Sequence, residues 1–213
     1  QLAAEQGLPE AQTRFGQLLL EGQGVDRNPQ EAVHWFTRAA RVEHPMAMNM
    51  LGRCHELGWG VAADSIVAVY WYRLAALAGS DWGMYNYATA LMLGKGVVAD
   101  RATAFLWFRK AADLGHAKSI NIVGGFYEDG WEVQRDLEVA FDHYRRAADG
   151  GDFRGQFNYA RLLADRDEIE AAIQWLQRAW QTGTDAFREK MLGFLASSSR
   201  EALRELGARL ADR

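Results

Sequence analysis

Two hexamers in this chain have the glycine spacing of a phosphate cradle. Residues 58–63 read GWGVAA and residues 94–99 read GKGVVA, and both fit the G-x-G-x-x-[GA] pattern of a dinucleotide-binding loop. In such a loop the glycines let backbone approach a pyrophosphate at a helix N-terminus, and Lys95 would touch a phosphate. A third motif, HELGW at 55–59, begins like the helix of a zinc protease, where two imidazoles one turn apart hold the metal. The remaining nucleophile candidates are the single cysteine, Cys54, and any serine standing three residues before a lysine.

Context removes each of them. The stretch before Gly94, YNYATALML, has helical rather than strand periodicity, and the hexamer recurs at a 36-residue interval. No strand feeds these glycines, so they are expected to supply positive φ for a tight turn between helices, with Val97 packing back. In HELGW, Trp59 occupies the place of the second histidine and Gly58 ends the helix, which leaves His55 as a packing residue. Lys95, Lys110, Lys118 and Lys190 follow Met92, Trp107, Gly115 and Phe187 by three positions, so there is no S-x-x-K. Cys54 has no neighbour that marks a nucleophile and reads as a small, partly buried thiol. The sequence offers no convergent acid–base or metal set, and no cofactor is expected.

The elements that carry these motifs come from a repeat. Gly16, Gly52 and Gly124 fall on a 36-residue lattice, with Ala88 and Ala160 in the remaining slots. Ala32-Trp35-Phe36-Ala39-Ala40 recurs as Ala68-Trp71-Tyr72-Ala75-Ala76, Ala104-Trp107-Phe108-Ala111-Ala112 and Ala140-His143-Tyr144-Ala147-Ala148. A fifth copy, Ala172-Trp175-Leu176-Ala179-Trp180, arrives four residues early because its loop is shorter. The i, i+3, i+4, i+7 apolar spacing within each copy is that of a helix face, and no stretch alternates long enough to be a strand. Each repeat is therefore an A helix and a B helix. Asn28, Asp64, Asp100 and Asp136 are placed to cap the B helices, and Gly79, Gly115 and Gly151 to follow their ends.

Composition bounds the rest. The 213 residues are 49% hydrophobic and 24% charged, ordinary values for a soluble globular protein. A net charge of −4 without a basic run argues against nucleic acid or an anionic membrane as partner. No apolar run approaches the roughly 20 residues of a membrane span, so no membrane insertion is expected. One cysteine excludes an internal disulfide and is compatible with either cytoplasm or periplasm.

Residues 45–79 of the second repeat, including MAMNMLGRCHELGWGVAADSIVAVYWYRLAALAG, resemble the Sel-1-like repeats, relatives of the tetratricopeptide repeats. That family's pattern is A-x3-LG-x2-Y-x2-G-x-GV-x2-D-x3-A-x2-WY-x-KAA-x2-G, and ATAFLWFRKAADLG follows its second half. The resemblance covers residues 1 to about 184 and implies an all-α fold. That fold is a right-handed α/α superhelical solenoid of about five helix-pair repeats, spanning roughly 9–44, 45–80, 81–116, 117–152 and 153–184. Repeat four departs from the pattern at Glu132 and His143, and repeat five lacks the G-x-G-V loop, so altered angles are expected there. Residues 1–8 read as the remnant of a preceding helix B, so the chain looks cut from something longer. Residues 185–213 read as a half repeat and an amphipathic capping helix, with Ser198 and Glu201 as a capping box.

In the related helical-repeat families the A helices line the concave surface. Aligning Leu51-Gly52 to them places Met46, Asn49, Met50 and Arg53 there, then Trp82, Tyr85, Asn86 and Thr89, with Met92 one turn on. Repeats four and five add Lys118, Asn121, Phe157, Asn158 and Arg161. Methionine and aromatic residues suit an adaptable interface, and asparagines suit the backbone of an extended peptide. Met48, Met84 and others of this set instead fill gaps between repeats in the plainer reading. Trp59 and Trp131, at the loop tips, are either an edge patch or packing against a neighbouring loop. Two functions remain open. One is a non-catalytic scaffold or adaptor for a protein or peptide partner, since the resemblance implies roles in envelope assembly, signalling, host contact or toxin neutralisation. The other is an enzyme or small-molecule receptor with a pocket in the groove. The N-terminal edge is also a candidate for self-association.

Overall fold

The computed structural model describes residues 2–212. Gln1 and Arg213, the outer ends of the expected first and last segments, lie outside the described residues. All regular elements among the described residues are α-helices, thirteen of them. A short α1 (Leu2–Glu5) packs on α2 (Pro9–Glu21), and α2 pairs with α3 (Pro29–Ala40). The next pairs are α4 (Pro45–Leu57) with α5 (Ser65–Leu77), and α6 (Asp81–Leu93) with α7 (Arg101–Asp113). Then come α8 (Ala117–Asp129) with α9 (Leu137–Asp149), and α10 (Phe153–Asp165) with α11 (Ile169–Thr182). Two last helices, α12 (Asp185–Ala196) and α13 (Glu201–Ala211), pack together, and α13 also touches α11. The chain divides into two compact halves, Gln1–Leu114 and Gly115–Arg213.

Helix pairing is close because one partner lacks a side chain. A Cβ on Gly16 would lie 2.6 Å from Phe36 Cε1, and one on Gly124 would lie 2.8 Å from Tyr144 Cε1. The same contact joins Gly52 to the Tyr72 ring. The rings facing these glycines, Phe36, Tyr72 and Tyr144, are all buried, while the preceding Trp71 and His143 are half-buried. Between repeats, Gly83 and Gly155 rest on Ala75 and Ala147, where a Cβ would stand 2.6 Å away.

The turn glycines answer the phosphate question. Gly58 and Gly94 close α4 and α6 in the left-handed region, at φ 71° and 67°, and their N–H groups bond back to Cys54 and Ala90 carbonyls. Gly60 sits so close to the Pro29 carbonyl in the preceding repeat that no side chain fits. Glu132, where the pattern has glycine, keeps the same hand at φ 57°.

Asn28, Asp64, Asp100 and Asp136 cap the B helices through their side chains, as their spacing predicts. The A helices carry a second series of caps. His44 Nδ1, Ser80 Oγ, His116 Nδ1 and Asp152 Oδ2 accept from the N–H groups of Ala47, Gly83, Ser119 and Gly155. The expected Ser198–Glu201 capping box does not form. Glu201 is the first residue of α13 rather than its third, and Ser198 Oγ accepts instead from the Arg200 N–H.

Candidate partner-binding surface

The A helices bring two kinds of polar pair together. Asn86 on α6 donates its Nδ2 to Asn49 Oδ1 on α4, at 2.8 Å. In the C-terminal half Asn158 on α10 makes the same bond to Asn121 on α8, at 2.9 Å. Asn49 and Asn121 are buried, whereas Asn86 and Asn158 are half-buried. A buried amide left without a partner costs about 1–3 kcal/mol, so the inner residue fixes the rotamer of the outer one. Each outer amide then retains a carbonyl and one N–H for a ligand.

The second pair joins a phenol to a carboxylate. Tyr72 donates to Glu56 Oε2 at 2.6 Å, while Lys95 Nζ lies 2.9 Å from Glu56 Oε1. Burial opposes the charge on Glu56, but bonds from Tyr72 and Lys95 and the charges of Lys95 and Arg53 outweigh it. The carboxyl is therefore held below its ordinary range, while burial and Glu56 push the Tyr72 phenol up. In the C-terminal half Tyr144 donates to Glu128 Oε2 at 2.6 Å, and Arg161 Nη2 reaches the same oxygen at 2.6 Å. Burial again opposes ionisation of Glu128, and Tyr144, Arg161 and Arg135 overcome it.

A cleft of about 100 Å³ lies between α5 and α6, with Glu56, Tyr72, Asn86, Thr89, Leu93 and Lys95 on its walls. Nearby, the Trp82 and Tyr85 rings meet edge-on at 6.1 Å, with Trp82 38% exposed. Tyr85 leans in turn on buried Phe108, at 6.0 Å. Cys54 is wholly buried rather than partly so. Burial pushes its thiol up to about 12 against the opposing charge of Arg53, so it is not a thiolate at neutral pH.

The helix pairs match the family described as Sel1 repeat over residues 9–44, 45–80, 83–116, 117–152 and 155–179. The chain belongs to the Sel1 repeat family. Sel1 repeats typically mediate protein interactions, and the family is generally a non-catalytic helical scaffold. The fold is similar to that of a Sel1 repeat protein from Oxalobacter formigenes. Identity is 26%, over 97% of this chain and 88% of that one, with a TM-score of 0.81. An immunity protein, Pa5087 from Pseudomonas aeruginosa, shares the fold at TM-score 0.62 and 16% identity, over 96% of this chain and 80% of that one. The exopolysaccharide production negative regulator of Rhizobium leguminosarum bv. viciae is 40% identical over 52 residues. That stretch is 24% of this chain and spans only 20% of the regulator. Among the described residues no helix is long and apolar enough to cross a membrane.

The Sel1 packing sorts the residues expected on the binding face. Met50, Asn49 and Asn121 are buried, because α4 packs on α5, on α3 of the preceding repeat and on α6 of the next, and α8 packs on α9 and α10. None of these three side chains is open to a partner, and Met48 and Met84 are buried gap-fillers as well. Phe157 is half-buried against the α12 rings of Phe187 and Phe194, at 5.7 and 5.1 Å. Met46, Tyr85, Asn86, Thr89, Met92, Lys118, Asn158 and Arg161 are half-buried, and Trp82 and Arg53 are exposed. Arg53 stacks on Trp59 at 4.9 Å, and Trp59 packs on the core. Trp131 remains 44% exposed beside Phe126. Sequence reasoning passed over Glu56, Tyr72, Glu128 and Tyr144. The signal that marks them is a second period: glutamate and tyrosine recur together at 72 residues.

Proposed function

We propose that this chain is a non-catalytic scaffold or adaptor that holds a segment of a protein partner against its A helices, centred on Trp82, Tyr85 and Asn86. The observation that carries the reading is the Asn49–Asn86 bond, which orients a half-buried amide beside the exposed Trp82 and the half-buried Tyr85. An amide held in one rotamer matches the alternating N–H and C=O groups of an extended backbone. Trp and Tyr supply contact area at little cost in side-chain entropy. The non-catalytic part of the reading is supported by the protonated, enclosed Cys54 and by Lys95, whose ammonium is engaged by Glu56. The partner's biological role, whether in regulation, envelope assembly, virulence or toxin immunity, is read from the partner itself.

The test is quantitative capture of a protein from native lysate and secretions by wild type and by a Trp82→Ala/Tyr85→Ala protein. Circular dichroism confirms equal helix content. Loss of two hot-spot rings should weaken capture by roughly thirtyfold, about 2 kcal/mol. Undiminished capture by a folded double mutant rejects the reading.

A further inference from the structure

The two halves carry the same carboxylate–phenol pair but complete it differently. Position 161 of α10 is an arginine, and its guanidinium lies on Glu128 beside the Tyr144 hydroxyl. The equivalent residue of α6, 72 positions earlier, is Thr89. That side chain is too short to reach Glu56, and its hydroxyl turns back to the Tyr85 carbonyl at 2.8 Å. By the 72-residue register, the cleft on Glu56, Tyr72, Asn86 and Thr89 lies where Arg161 meets Glu128 in the other half.

We propose that this cleft receives an arginine side chain of the protein partner. The proposal deepens the scaffold reading and rests on it. Glu56 supplies the charge, and the carbonyl of Asn86, which the inner asparagine leaves unused, supplies a second acceptor for a group with five N–H donors. Leu93 offers an apolar wall for the aliphatic stem. Lys95 keeps the carboxylate company in the free protein from a loop, through one oxygen and with its own side chain 50% exposed. Arg161 in its place is only 26% exposed. A half-exposed ammonium is readily exchanged for a planar guanidinium that reaches deeper.

The probe is N-acetyl-arginine amide, with N-acetyl-citrulline amide as its uncharged isostere, followed through the side-chain amide resonances of Asn86 and Asn158. In wild type the arginine probe should shift Asn86 saturably and more tightly than citrulline by about tenfold, the least a charge-assisted hydrogen bond supplies. Thr89→Arg should fill the cleft and abolish the shift. Lys95→Ala should strengthen binding by removing the internal competitor. Arg161→Thr should open a second site, seen as a new shift at Asn158. Equal binding of citrulline, a shift that survives Thr89→Arg, or weaker binding in Lys95→Ala would each overturn the assignment. Partner capture separates this from the broader reading: full capture by Thr89→Arg, with loss in Trp82→Ala/Tyr85→Ala, rejects the arginine cleft and leaves the scaffold standing.

Discussion

The pairs α2/α3 and α4/α5 are built on one plan and finish it with opposite chemistry. In the first, Phe36 lies on Gly16, and the position four residues after that glycine is the buried Leu20. In the second, Tyr72 lies on Gly52, and the matching position is Glu56, which receives the hydroxyl. The same alternation continues with Met92 and Phe108 in repeat three, then Glu128 and Tyr144 in repeat four. One added oxygen on the ring is accompanied each time by a carboxylate that accepts from it. The comparison teaches that a helix stack tolerates a polar group at its seam only when both partners change together, since half of such a pair is worse than none.

The sharpest way to break that comparison is to install half of the polar pair in the apolar repeat. Leu20→Glu should cost about 3–5 kcal/mol in urea denaturation, as an unpaired buried carboxylate does. Adding Phe36→Tyr should recover about 1–3 kcal/mol of it. A double mutant no better than the sum of its parts would show that the two positions are not coupled. A smaller effect comes from the native pair: Tyr144→Phe should cost about 1.5–3 kcal/mol, because the lost bond runs to a charged acceptor.

The same two carboxylates set an acid response. Glu56 and Glu128 titrate below the free value in the folded chain, so on acidification the unfolded chain takes up protons first. Their contribution is complete above about pH 4.3 and disappears as pH falls through the folded values. Urea midpoints should therefore drop across that acidic window, and a Glu56→Gln/Glu128→Gln protein should show a flatter profile. An equal slope in both proteins would place the acid sensitivity elsewhere. The smallest effect is expected at Cys54. Its enclosed thiol should fail to react with a disulfide reagent in the native protein under mildly alkaline conditions and react fully once unfolded. Rapid native labelling would contradict its burial.

The 36-residue lattice was sufficient to predict the helix pairs, the B-helix caps and the left-handed turns at Gly58 and Gly94, because each follows from residues near in sequence. The caps of the A helices were equally local, yet histidine, serine and aspartate share no residue type that marks them as one series. Burial of Met50 and Asn49 was not legible, since it depends on which stripes of α4 the neighbouring helices cover. The alternating pairs were written in the sequence at twice the obvious period and became visible only when Tyr72 was seen to touch Glu56, 16 residues before it. Ser198 misled because a capping box is a statement about where a helix starts, and α13 starts later than its charge pattern suggests.

The asparagine bonds also say what length of chain can be copied. Asn49 finds its partner 37 residues on, in the next repeat, and so does Asn121. Duplicating repeat two or repeat four alone would set a buried asparagine against a copy whose matching position is Met50 or Ile122. Duplicating two together carries donor and acceptor in one piece, whereas the tyrosine and its carboxylate travel within a single repeat. The shortest segment that carries both halves of such a bond is therefore two repeats long.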